Sequence, residues 1–285
     1  MKSIKIKCPA KINLNLKILG KRPDGFHDIE SVMQTINLYD YLTIEIEPSN
    51  KTEIILSGNS DEIPYDENNL VYKAAKLFLK ILPSPLEGEG VFVCEERALQ
   101  MRERGLNNKI KIRIEKHIPV AAGLAGGSTD AAGTLYGLNE LFDKPYTNEK
   151  LHELCAQLGS DLNVCLQGGR ILAKGRGEIL ESQPYEEFNL SIIKPRNLGI
   201  SAKEAYTKFS LKDKTDPQRK NFVNDLEWAV IEDYKELQYI KRKYPDAVMT
   251  GSGSVYYIIN KNFEPEKNYI VINGLQTVPY GVKVK

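Results

Sequence analysis

The chain has 285 residues, room for about two modest domains at roughly 150 residues each, and is too long to depend on disulfide or metal staples. Lys and Arg number 39 against 38 Asp and Glu, a net charge of +1 that excludes the basic footprint of a nucleic-acid binder. Hydrophobic residues make up 41% and charged residues 27%, and no apolar run approaches the roughly 18 residues of a membrane helix, so a soluble globular chain with no membrane partner is expected.

Met1 to Lys7 alternates apolar and charged residues without an apolar signal region, which predicts a strand and a cytoplasmic protein. Ile12, Leu14, Leu16 and Ile18 alternate with Lys11, Asn13, Asn15 and Lys17, the period of a half-buried strand. Arg22-Pro23-Asp24-Gly25 supplies a turn, and Leu42 to Glu47 and Glu53 to Ser57 read as further strands in an antiparallel opening. Asn69 to Leu82 changes period, with Leu70, Ala74, Leu77 and Ile81 on one face of a core helix. Pro83 to Asn108 is Pro- and Gly-rich, then charged, and is expected to be a surface insertion.

Ile110, Ile112 and Ile114 mark another strand, Pro119 to Gly127 a small-residue loop, Ser128 to Phe142 a helix, and Thr147 the start of the next, to Leu158. Gln183-Pro184 is the expected domain boundary. Beyond it Leu190 to Lys194 is a strand, Ser201-x-x-Glu204 a capping box, Asn221 to Lys243 a long helix, and Gly251-Ser252-Gly253-Ser254 a turn between strands. Lys261 to Lys285 reads as strands and turns. Cys8, Cys94, Cys155 and Cys165 form no C-x-x-C pair, and His27, His117 and His152 no ligand cluster, so free thiols and no structural zinc are expected.

The strongest chemical signal is the run Pro119, Val120, Ala121, Ala122, Gly123, Leu124, Ala125, Gly126, Gly127, Ser128, Thr129, Asp130, between a strand and a helix. Small residues admit a polyanion close to the backbone, and the amides and dipole of a helix N-terminus favour phosphate. No Lys precedes Ser128, which excludes a Walker A loop, and no G-x-G-x-x-G spacing fits a dinucleotide fingerprint. The plainer reading is tight packing at a helix start, with Ser128 or Thr129 as an ordinary cap. Asp161, after Leu158-Gly159-Ser160 and before apolar sequence, is a candidate carboxylate beside an attacking hydroxyl; read from the residues alone, a cap or turn aspartate is the commoner explanation. Lys11 would ordinarily be a solvated strand lysine.

These motifs in this order resemble the galactose, homoserine, mevalonate and phosphomevalonate (GHMP) kinases. Cys8-Pro9-Ala10-Lys11-Ile12-Asn13-Leu14-Asn15-Leu16 and Asp24-Gly25-Phe26-His27 are similar to the branch whose acceptor is 4-diphosphocytidyl-2-C-methyl-D-erythritol. The 119–130 loop, Leu158 to Asp161, Asn224 to Glu227 and Thr250 to Ser254 follow in the same order. The resemblance implies an α+β two-domain fold: a ribosomal-protein-like ATP-binding and catalytic domain, 1–183, carrying the 83–108 insertion, and a ferredoxin-like substrate-binding domain, 184–285. It implies transfer of the γ-phosphoryl of ATP, with Mg2+, to the 2-hydroxyl of that cytidine diphosphate ester, on the non-mevalonate route to isoprenoid precursors. Lys11 and Asp161 are then the catalytic pair, with Lys11 keeping the carboxylate ionised. Pro119 to Thr129 hold ATP, Ser128 and Thr129 meet the β and γ phosphates with Ser128 on Mg2+, Asn69 lies near adenine, and Asp130 is secondary.

Asn13, Phe26, His27 and Tyr206 are the implied substrate residues, His27 reading the cytosine edge and Phe26 stacking where relatives often have Tyr. Tyr206 reads equally as a helix core residue or as the opposing aromatic. Asn163 stands where relatives commonly have Pro. The alternatives are another GHMP kinase, acting on homoserine, mevalonate or a sugar, which the Gly25-Phe26-His27 segment disfavours, and a silent nucleotide-binding regulator, which Lys11 and Asp161 disfavour.

Overall fold

A computed structural model describes residues 1–82, 108–212 and 214–285; the expected insertion lies almost wholly outside the described residues. The chain opens with β1 (Lys2–Asn13), β2 (Lys17–Lys21), β3 (His27–Pro48) and β4 (Glu53–Gly58), followed by α1 (Leu70–Lys80) and β5 (Asn108–Glu115). Then come α2 (Gly126–Leu141), α3 (Asn148–Leu158), α4 (Leu162–Gln167), β6 (Arg170–Gly175) and β7 (Ile179–Ser182). The remainder holds β8 (Asn189–Pro195), α5 (Ala202–Leu211), α6 (Asp225–Val230), α7 (Lys235–Lys243), β9 (Val248–Met249), β10 (Tyr256–Ile259), β11 (Tyr269–Gln276) and β12 (Lys283–Val284).

Eight strands form one sheet in the order β12-β1-β3-β5-β4, with β2 and β6 also on the long β3 and β7 on β6. All its pairings are antiparallel except β4 with β5, and parallel neighbours require a crossover, along which α1 lies. Alternation explains the packing: Ile6 and Cys8, Leu42 and Ile44, and Ile110, Ile112 and Ile114 all point to one face and are buried under α1 and α2. Burying such side chains contributes roughly 1.5–3 kcal/mol each, which fixes the sheet register and, through it, where α2 begins. The second sheet runs β11-β8-β10-β9, with α5, α6 and α7 buried against it through Phe209, Trp228 and Ile240. Cys8, Cys155 and Cys165 are buried free thiols, and burial raises all three.

Two expected elements are divided. The alternation of Ile12 to Ile18 does not make one strand: the chain leaves β3 after Asn13, and Leu16 pairs with the second half, its amide donating to Val223 O (3.1 Å) and its carbonyl accepting from Asp225 N (2.9 Å). The long helix expected over 221–243 is α6 and α7 separated by a short 3-10 turn, Ile231–Asp233. Asn224 explains its late start. In extended backbone, it caps Leu226 N through Oδ1 (2.9 Å) while Nδ2 donates to Met249 O and Gly251 O (both 2.8 Å). Tertiary bonds decide both breaks, which local periodicity does not register.

Candidate active site

Lys11 sits near the end of β1, where its backbone amide donates to Leu124 O (3.1 Å), so the strand is tied directly to the glycine loop. The residue is only 2% exposed. Its ammonium donates to Asn13 Oδ1 (2.7 Å) and Gly123 O (3.2 Å) and lies 3.3 Å from Asp161 Oδ2. An ammonium so buried requires such partners, because desolvating a lone charge costs several kcal/mol. Asn13 is fixed in turn by Nδ2 to Ser31 Oγ (2.8 Å) and by its amide to Thr250 Oγ1 (2.9 Å). The Lys11 strand, the glycine loop and the Thr250 turn therefore converge on one buried knot.

Asp161 occupies the position before α4, yet its side chain makes no capping bond. Its carboxylate instead faces Lys11, with about a third of its side-chain surface exposed. Asn163 leaves the backbone helical here; its Oδ1 meets His152 Nδ1 (3.1 Å), linking α4 to α3.

The loop enters α2 without a side-chain cap. Ala125 is the capping residue, in left-handed backbone (φ 59°), and carries no acceptor. The first intrahelical bond is Thr129 N to Ala125 O (2.9 Å), so the amides of Gly126, Gly127 and Ser128 have no partner within the helix. Ser128 and Thr129 are thus not caps. A Cβ on Gly127 would meet only Leu70, at 3.8 Å, leaving the backbone open to a ligand, whereas one on Gly123 (φ +73°) would overlap the Thr250 carbonyl. The two glycines serve different ends, one exposing backbone and the other seating the loop on the 250–254 turn.

A cavity of about 1100 Å³ joins these parts. Lys11, Asn13, Asp161, Asn69, Phe26, His27, Tyr206 and the loop from Pro119 to Ser128 all line it. Thr129 departs from expectation: it is fully buried on the inner face of α2 and lines no part of the cavity, because the helical turn that opens Ser128 outward carries the next residue inward. Asn69 lines the cavity, but its side chain is already engaged at both ends, accepting from Val71 N (2.9 Å) as the α1 cap and donating to Pro64 O (2.6 Å).

At the opposite end His27 stacks on Tyr206, with ring centroids 5.1 Å apart and planes at 21°, and its Nε2 lies 3.1 Å from Ser210 Oγ. The Phe26 ring, 49% exposed, lies under the Arg176 guanidinium at 4.8 Å. Phe26 and Tyr206 therefore do not form an opposed pair; His27 covers the Tyr206 face. Burial, then Lys21 and Lys214, lowers the His27 pKa, so the ring is neutral at pH 7 and can both donate and accept. Lys21, Arg176 and Lys203 also line the cavity and form no ion pair among the described residues.

Sequence reading missed a buried triad beneath the loop. Lys116 Nζ bridges Asp40 and Asp130 Oδ2 (2.9 Å), and Asp40 Oδ1 also accepts from His117 N (2.6 Å) and Ile118 N (2.9 Å). Burial alone would lower Lys116, but Asp130 and Asp40 outweigh it and keep the ammonium charged. Burial, opposed by Lys116 and reinforced by Asp40, raises Asp130 to about 7. Nothing in the strand alternation around Lys116 singles it out.

Residues 69–169 match the GHMP kinases N terminal domain. The chain is 36% identical to the 4-diphosphocytidyl-2-C-methyl-D-erythritol kinase of Clostridium perfringens (strain SM101 / Type A), covering 89% of this chain and 88% of that one. It is also 36% identical to the kinase of the same name from Bacillus pumilus (strain SAFR-032), over 98% and 96% of the two chains. The chain belongs to the 4-diphosphocytidyl-2-C-methyl-D-erythritol kinase family. Members of this family are GHMP small-molecule kinases, and the fold agrees: a solved 4-(cytidine 5'-diphospho)-2C-methyl-D-erythritol kinase superposes with a TM-score of 0.71 at 23% identity, covering 96% of this chain and all of that one. Homoserine kinase from Cytophaga hutchinsonii ATCC 33406 gives 0.68 at 15% identity, over 100% and 98% of the chains, a likeness of fold alone.

Proposed function

We propose that the protein transfers the γ-phosphoryl group of ATP to the 2-hydroxyl of 4-diphosphocytidyl-2-C-methyl-D-erythritol, on the non-mevalonate route to isoprenoid precursors. The observation that carries the reading is the Lys11–Asp161 pair, 3.3 Å apart in the same cavity as the uncapped start of α2. One element suits a reacting hydroxyl and the other a polyphosphate, the two requirements of phosphoryl transfer to an alcohol.

In this reading the amides of Gly126, Gly127 and Ser128 receive the terminal phosphates of ATP, and the loop from Pro119 follows the rest of the nucleotide. The substrate hydroxyl donates to Asp161. As its oxygen bonds to the γ-phosphorus, the bond from that phosphorus to the β–γ bridging oxygen breaks, ADP leaves, and the hydroxyl proton passes to Asp161. Lys11, 3.3 Å from the carboxylate, holds it in place and orients the hydroxyl. Asn13 keeps the Lys11 ammonium aimed at it. Among the described residues no cluster of three metal-binding side chains is present. The donor set thus suits a Mg2+ ion carried mainly by nucleotide phosphates, with the Ser128 hydroxyl as a protein oxygen. Such an ion supplies charge neutralisation on the transferring group.

Cytosine recognition falls to Phe26, His27 and Tyr206: a neutral imidazole matches a base edge that both donates and accepts, and aromatic faces suit the ring. The cations Lys21, Arg176 and Lys203, which form no ion pair among the described residues, suit the diphosphate. The division into a catalytic part, 1–183, and a substrate-facing part, 184–285, belongs to the same proposal, with Tyr206 reaching the cleft from the second and the last strand of that part, β12, returning to pair with β1. Replacing Asp161 with Asn tests the chemistry. ATP binding is expected to persist while turnover falls by about 10²- to 10⁴-fold; unchanged turnover would remove Asp161 from the mechanism.

A further inference from the structure

The 3.3 Å approach of Lys11 and Asp161 joins two elements far apart in sequence, and α4, which Asp161 opens, has only six residues. A helix that short does not hold its own place. Leu162 and Cys165 bury it in the core against α2 and α3, and the segment Thr277–Val284, which leaves the second sheet, adds backbone bonds that tie it to β1.

Val282 N donates to Cys165 O within α4 (3.0 Å), and the segment then pairs with β1 at Ile6↔Val284 and Lys7↔Lys283. One stretch of backbone is thereby bonded both to the helix that follows Asp161 and to the strand that carries Lys11. The crossing is backbone against backbone: a Cβ on Gly281 would overlap the carbonyls of Cys165 and Leu166, and one on Gly168 would overlap Gly281 N. Thr35, fully buried on β3, locks the crossing. Its hydroxyl faces Val278 O (2.9 Å) and Tyr280 O (3.0 Å) as donor and accepts from Gly169 N (2.8 Å), while its backbone bonds Gly169 O (3.1 Å) and Val278 N (2.9 Å). Gln34 Nε2 adds a bond to Val278 O (3.0 Å). Thr35, Gly168 and Gly281 are absent from the cavity lining, so their effect on a ligand is indirect.

We propose that residues 277–284 form a strap, locked by Thr35 and seated by Gly281, that sets the position of Asp161 relative to Lys11. Thr35 and Gly281 are positioning residues. The inference rests on Asp161 acting at the reacting hydroxyl. A displacement of about 1 Å at a reacting group costs up to a hundredfold in rate, so loosening the strap acts on turnover and leaves the nucleotide cradle alone.

The test is steady-state kinetics of the full chain carrying Thr35→Val, Thr35→Ser, Gly281→Ala or Asp161→Asn, with the folded fraction of each checked by circular dichroism. Thr35→Val is expected to lower kcat about tenfold with KM for ATP within about twofold, and Gly281→Ala to move kcat the same way. Thr35→Ser, which keeps the hydroxyl, is expected to restore kcat. Thr35→Val and Gly281→Ala proteins that melt earlier but keep the parental kcat would overturn the strap, as would equal loss in Thr35→Ser and Thr35→Val. Loss in Asp161→Asn without loss in Thr35→Val rejects the strap alone; no loss in Asp161→Asn rejects the assignment beneath it.

Discussion

Replacing Lys11 with Met keeps most of the buried stem and removes only the charge. The ammonium lies 3.3 Å from Asp161, and at that distance two unit charges interact by about 5 kcal/mol at an effective dielectric near 20. A third of the Asp161 side chain is exposed, so solvent screening brings the loss to about half, or roughly 2–3 kcal/mol. Because the pair is already present in the ground state, that energy measures how firmly Lys11 holds the carboxylate in place, and losing this positioning is expected to lower kcat about a hundredfold. Folding should suffer far less: Met fills the space, Asp161 turns to solvent, and Asn13 Oδ1 keeps Thr250 Oγ1 at 3.3 Å, so the expected cost is about 1–2 kcal/mol. ADP release in a coupled assay gives kcat, and thermal melting gives the stability. A kcat within threefold of the parent, or a collapse of stability with unchanged kcat, would refute the reasoning that Lys11 is buried for chemistry and not for packing.

The loop and the triad give two further expectations. Gly127→Ala should leave stability level or raised by about 0.5–1 kcal/mol, since helix position and open space both favour Ala, while KM for ATP rises about tenfold as the methyl group enters the cradle; an unchanged KM would mean that phosphate does not approach that backbone. Asp130, raised to about 7 from an ordinary 3.8, binds its proton more tightly folded than unfolded, so its contribution to stability falls as pH climbs from about 4 to about 7 and is constant above. Melting temperature against pH should therefore be flatter over that window in Asp130→Asn than in the parent, and parallel profiles would contradict the burial argument.

What the sequence disclosed was local. The Ser201 cap, the end of α3 at Leu158 and the turn around Gly251 all follow from patterns a few residues long, and each stands where expected, whereas the Glu204 carboxylate of the expected capping box accepts instead from the Tyr234 hydroxyl. The loop from Pro119 was legible for the same reason, since small residues before a helix have a physical meaning in isolation. Burial of Lys11 was not, because its partners Gly123 and Asp161 are brought to it by loop and helix contacts that strand alternation does not encode, so alternation alone assigned it to solvent. Thr129 was misplaced by one step of helical rotation, and the break before α6 depends on bonds from Asn224 to residues 25 and 27 positions away. The Lys116 triad and the Thr35 lock had no local signal: Lys116 lies just past the end of β5 and Thr35 on β3, and the partners of both lie on other elements.

The acceptor is identified by ATP turnover across a panel of alcohols, with the site of phosphorylation in the product read by phosphorus NMR. Saturable turnover is expected with 4-diphosphocytidyl-2-C-methyl-D-erythritol, with phosphate on its 2-hydroxyl and competition by cytidine nucleotides against that substrate. Equal or faster turnover of homoserine or mevalonate, indifferent to cytidine nucleotides, would contradict it.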